Sequence, residues 1–163
     1  MSDAPQNDQQ PPSTGNKVIG IPADKYAKIC YFLVLISSAF GVLGGLVGLA
    51  GVQMPLQGLF GFLGFIGLVM SFLGYFIFAP LFNAMELSHL KLVVVLFGMA
   101  FILSILIALV FGGSVVGSLL LFLISLGFLA AIFVGFRQWQ NGEIATKDGL
   151  INGLKDLKSV VGR

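Results

Sequence analysis

Charge is what this chain has least of. Asp, Glu, Lys and Arg make up 10% of its 163 residues, against about a quarter in soluble domains. From Tyr26 to Gly135 only Lys28, Glu86, His89 and Lys91 interrupt an otherwise apolar stretch, which argues against a water-soluble fold. The lone cysteine, Cys30, excludes an internal disulfide and leaves the redox compartment undetermined. With a net charge of +2 and no dense Lys/Arg block, the chain lacks a surface for polyanions, so nucleic acid is not an expected partner. Neither Gly-x-Gly-x-x-Gly nor a terminal Gly-Lys-Ser/Thr occurs in the glycine-rich stretch Gly41 to Gly51, which removes the usual nucleotide loops. The first twenty residues have no apolar core of a cleavable signal, and the first span is expected to serve as the insertion signal.

What the chain does have is apolar length. Hydrophobic residues make up 57% and the mean hydropathy is +1.00. A spanning helix needs roughly 20 apolar residues. Four such lengths predict an all-α integral membrane protein, a four-transmembrane-helix bundle with a disordered N-terminal tail and a C-terminal amphipathic helix. Residues 1–21 carry Pro5, Pro11, Pro12 and several Gln and Asn, too little apolar surface to offset the entropy of ordering. A transmembrane domain over 24–136 is expected, with spans at about 25–50, 56–79, 91–111 and 115–136. Pro22 and Asp24 supply helix-start chemistry, Pro80 ends or kinks the second span, and 81–90 forms the polar connection. Lys17, Lys25, Lys28, Lys91 and Arg137 flank the spans, and four crossings put all of them on the cytoplasmic side together with both termini. In the tail 137–163, Trp139 suits the headgroup layer, and Leu150, Leu154, Leu157 and Val161 share a helical face while Lys147, Lys155, Lys158, Asp148 and Asp156 occupy much of the remainder. Gly149 and Gly153 weaken that helix. Its apolar stripe is expected to pack on the cytosolic ends of the bundle.

In lipid, close approach through small residues is the main packing signal. Ser37, Gly41, Gly44, Gly48 and Gly51 form one stripe of the first span, and Gly64, Gly67, Ser71 and Gly74 one of the second. Ala100, Ser104, Ala108 and Gly112 recur in the third, Gly127, Ala131 and Gly135 in the fourth. These are the expected packing faces. Phe65, Phe72 and Phe76 fall on a different surface of the second span.

Chemistry is sparse. Glu86 and His89 have the Glu-x-x-His spacing of di-iron bundles, but His89 is the only histidine and no acid lies within an expected span. No metal site, cofactor or catalytic residue is expected, and the pair reads as a solvated loop pair. Cys30 reads as a buried thiol in preference to a palmitoylation site. Four glycine-rich spans resemble the rotor proteolipids of ion-driven ATPases in size and glycine content, yet the intramembrane carboxylate on which a rotor depends is missing. In topology alone the chain is similar to the small four-span proteins of Golgi and vesicle membranes. The expected function is that of a scaffold, accessory subunit or trafficking and membrane-organising factor, with the lipid bilayer and other membrane proteins or further copies as partners. The alternative is an oligomeric channel or small-solute conduit lined by Ser71, Ser104, Ser118 or Ser125. Serines in membrane helices more often bond their own backbone or glue helices together.

Overall fold

The computed structural model describes residues 17–18, 20–52, 57–76, 79–111 and 114–157. Helix α1 spans Ala23–Leu49, α2 Gln57–Phe76, α3 Ala84–Phe111, α4 Val115–Gln140 and α5 Lys147–Lys155, with a short 3-10 turn at Ala79–Leu81. The β-branched residues and glycines of these runs, such as Val47 and Gly48, are weaker helix formers in water than leucine or alanine. In a bilayer, where no water bonds the backbone, a helix is the only local way to satisfy every amide.

Successive long helices run in opposite directions. Near the start of α1, Tyr26 lies against Gly74, and further along it Ser37 lies against Gly64. Likewise Gly41, Gly45 and Gly48 meet Ser125, Phe122 and Ser118 in reverse order. Each long helix packs on its sequence neighbours, α4 closes the ring on α1, and α1 touches α3 across the diagonal. Because the directions alternate, Lys25, Lys28, Lys91 and Arg137 come to one end of the bundle. Gly51 and Ser114 lie at the other.

Three helices, α1, α3 and α4, have the length and composition of membrane spans, and α2 carries a shorter apolar stretch, Gly61–Phe76. With 27, 28 and 26 residues, the long helices measure about 40 Å at 1.5 Å per residue, beyond the ~30 Å hydrocarbon layer. Inward of Lys25, Lys28 and Lys91 their outward faces are apolar, with Ile102, Leu109 and Val110 among the most exposed side chains, and Phe62 is similarly exposed on α2. A water-exposed patch of that extent would drive association; a bilayer accommodates it.

Local ends follow from identifiable chemistry. Ser114 caps α4, its hydroxyl accepting from the Gly117 amide at 3.1 Å, and Thr146 caps α5 by accepting from Gly149 at 3.0 Å. Gly51 and Gly142 adopt positive φ of 73° and 72° where α1 and α4 end, a conformation that glycine enters without steric cost.

Several expectations need correction. Residues 81–90 are not a loop. The third helix begins at Ala84, because Asn83 and Glu86 form a reciprocal capping box: Asn83 Oδ1 accepts from the Glu86 amide at 2.9 Å and Glu86 Oε2 from the Asn83 amide at 3.3 Å. Glu86 and His89 are buried, 7% and 0% exposed, not solvated. The fourth helix continues past 136 to Gln140, taking Arg137 and Trp139 into it. At the edge of the expected tail, Lys17–Val18 pairs antiparallel with Ile21–Pro22 around Gly20, whose φ is 78°. Residues 1–16, with Val161 and Lys158, lie outside the described residues.

Candidate functional site

Two features occupy opposite halves of the bundle. In the half near Gly51, a cleft of about 460 Å³ lies between α1, α3 and α4, with Gly41, Gly44, Gly45 and Gly48 on one wall and Ser104, Ser118 and Ser125 on the others. It reaches from Gly51 and Val52 to Gly41, about 15 Å of helix. A Cβ built on Gly45 would stand 2.8 Å from Phe122 Cα, and those on Gly41 and Gly48 would stand 3.0 and 3.1 Å from Ser125 Oγ and Ser118 Oγ. Only glycine permits this approach of α1 to α4.

The other half is sealed. Tyr31, Val34, Val93 and Ile132 form a buried cluster, backed by Leu96, Phe97, Phe136 and Trp139. At its rim the His89 ring is held on both sides: Nε2 lies 2.9 Å from the Glu143 carbonyl oxygen and Nδ1 lies 2.6 Å from Tyr31 Oη. A carbonyl only accepts, so Nε2 carries the proton. In the neutral ring Nδ1 is then an acceptor, and the Tyr31 hydroxyl donates to it. The Tyr31 ring also stacks on Trp139 at 6.2 Å and meets Phe136 edge-on at 5.7 Å. This one histidine thereby ties α1, α3 and the segment after α4 together. Both of its nitrogens are occupied, and among the described residues no three His, Cys, Asp or Glu side chains group as metal ligands. Nearby, Gln138 Oε1 and Trp139 Nε1 are buried without a hydrogen-bond partner among the described residues.

The small-residue positions take distinct places. Ser37, Gly44, Gly64, Gly67, Ser71, Gly74, Ala131 and Gly135 are buried. A Cβ on Gly64 would collide with Ser37 and Phe97, one on Gly67 with Leu33, and one on Gly135 with Leu92. Ser71 donates to the Gly67 carbonyl at 2.8 Å within α2, apart from the cleft where Ser104, Ser118 and Ser125 gather. Ala100 is half-buried, Ala108 is exposed, and Gly127 has nothing within 4 Å of an added Cβ, so Gly127 forms no close helix contact. Gly112 lies outside the described residues. Gly45 was absent from the expected stripe although it makes the tightest backbone approach to α4. Its signal was present in the sequence, since Gly41 and Gly45 are four apart.

Cys30 is fully buried with Tyr26, Phe82 and Leu90. Helix α5 folds back along the end of α4, where Gly149 and Gly153 face Gln138 and Val134. The two glycines that lower its helix propensity are the points at which it docks.

Comparison with known proteins yields no family model, no curated protein and no solved structure that matches this chain.

Proposed function

We propose that this protein is a four-span membrane protein with both termini on the cytoplasmic side, and that it acts as a scaffold or accessory subunit by associating with other membrane spans. The observation that carries this reading is the open cleft. The glycine wall of α1 is only partly covered by α4, and what remains is a notch of small residues and hydroxyls between helices. Within lipid such surfaces associate through close packing and interhelical hydrogen bonds. A partner span, or a second copy, that places a side chain in the notch would gain both. The basic residues gathered at one end agree with that end being cytoplasmic.

Placing a photo-crosslinking residue at Leu121, on the cleft wall, tests this in native membranes. Specific protein adducts that disappear when Ser118→Leu fills the notch are expected; adducts to lipid alone would refute association there. For topology, cysteines introduced at Val52 and Asn141 should label from opposite sides. Labelling of both from one side would refute the four-span arrangement.

A conduit remains the second reading, favoured by the convergence of Ser104, Ser118 and Ser125 in one cleft. The buried Tyr31, Val34, Val93 and Ile132 cluster blocks a path through a single bundle, so conduction would have to run between copies. Planar-bilayer conductance that changes with Ser104→Ala would support it.

A further inference from the structure

We propose that the groove between α3 and α5 binds an anionic phospholipid, with the headgroup phosphate at Lys91 and Lys147 and one acyl chain running along α3. The groove measures about 480 Å³, within the ~300–1,000 Å³ of small-molecule sites. Its α3 wall is Ser88, Lys91, Leu92, Val95, Leu96 and Met99, successive positions of one helical face. The polar members come first. From Lys91 the wall descends about 12 Å into the span without another polar group.

The facing wall has the same polarity. Thr146 and Lys147 stand at the outer end and Leu150 further in, because α5 turns back at Gly142 and runs inward beside α4. Thr146 Oγ1 accepts from the Gly149 amide, which leaves its own hydroxyl proton free to donate. No acidic residue lines the groove, and no ion pair among the described residues occupies either lysine. Two unneutralised ammonium groups above an apolar slot match an amphiphile with an anionic head. A free phosphate would leave the slot unused.

A second groove repeats the arrangement. About 440 Å³ in size, it is lined on α1 by Lys25, Lys28, Ile29, Phe32, Leu33 and Ile36. Those positions carry the same 3–4 spacing, lysines outermost, at the same end of the bundle. Recurrence on two helices that both run inward from the lysine end fits a leaflet whose surface is negative. The proposal rests on the reading of the protein as membrane-embedded.

The test is native mass spectrometry of the full chain released from nanodiscs containing equal phosphatidylglycerol and phosphatidylcholine. Wild type is expected to retain phosphatidylglycerol preferentially. Lys91→Gln with Lys147→Gln should weaken that retention on the order of ten- to thirty-fold, while Lys91→Arg with Lys147→Arg restores it and Lys155→Gln, outside the groove, leaves it unchanged. Equal retention of the two lipids, or an equal loss with Lys155→Gln, would overturn the site. Displacement of the lipid by inorganic phosphate alone would show an anion site and overturn the lipid assignment. Sedimentation with carbonate-washed membranes, read in parallel, separates failure of this site from failure of the membrane reading.

Discussion

Replacing Gly45 by alanine should loosen the α1–α4 seam, although alanine is the better helix former. The added Cβ would stand 2.8 Å from both Cα and Cβ of Phe122, and 3.0 Å from its amide nitrogen. Two of those atoms are backbone, so no rotamer change relieves the contact. The helices must separate locally by about 0.6 Å, the difference between 2.8 Å and the 3.4 Å onset of ordinary contact. Overpacking of this kind costs ~1–3 kcal/mol. Against it stands a propensity gain of about 1 kcal/mol for Gly→Ala in a helix. Gly127 in α4 offers the control, since nothing lies within 4 Å of its added Cβ and Gly127→Ala keeps only the gain. The gap between the two variants thus isolates the packing cost at about 1–3 kcal/mol. Reversible unfolding in mixed micelles measures it, read by circular dichroism. If Gly45→Ala proves as stable as Gly127→Ala, the backbone approach of α1 to α4 is wrong.

Other consequences follow from the same contacts. Tyr31→Phe removes the hydroxyl that donates to His89 Nδ1 and should cost ~1–3 kcal/mol; nitrogen-15 shifts of the wild-type ring should place its proton on Nε2, and a proton on Nδ1 instead would contradict the geometry. Ser114→Ala should lower stability by about 1 kcal/mol through loss of the α4 cap, whereas Ser88→Ala, which touches no cap, should change it little. Cys30 should resist maleimide in the folded protein and react after denaturation; fast labelling in the native state would mean that the Tyr26–Phe82–Leu90 cluster is open. Gly153→Leu should release α5 from Val134, seen as protease cleavage after Gly142 while the helical content of the spans persists.

The parts of this protein legible in its sequence are those governed by local physics. An apolar run of about 20 residues satisfies every backbone group within itself only as a helix, so the existence of the long helices, and the small-residue character of α1 and α2, follow from composition and period. The failures lie where a neighbour decides. Residues 81–90 looked like a connection because Glu86, His89 and Lys91 are polar. The Asn83–Glu86 capping signature was readable there, but the reason His89 tolerates burial was not: its partners, Tyr31 and the Glu143 carbonyl, lie 58 and 54 residues away. Spacing alone likewise could not tell Gly45, pressed against Phe122, from Gly127, which faces outward.

The sequence by itself therefore determined that the long segments are helical and apolar enough to span a bilayer, since both depend on the hydrogen-bond demands and apolar surface of contiguous residues. Only the tertiary structure decided which glycines bring helices together, which serines share a cleft, and how one histidine is held between helices. Those outcomes depend on the relative rotation of packed helices, a quantity that no stretch of a single helix contains.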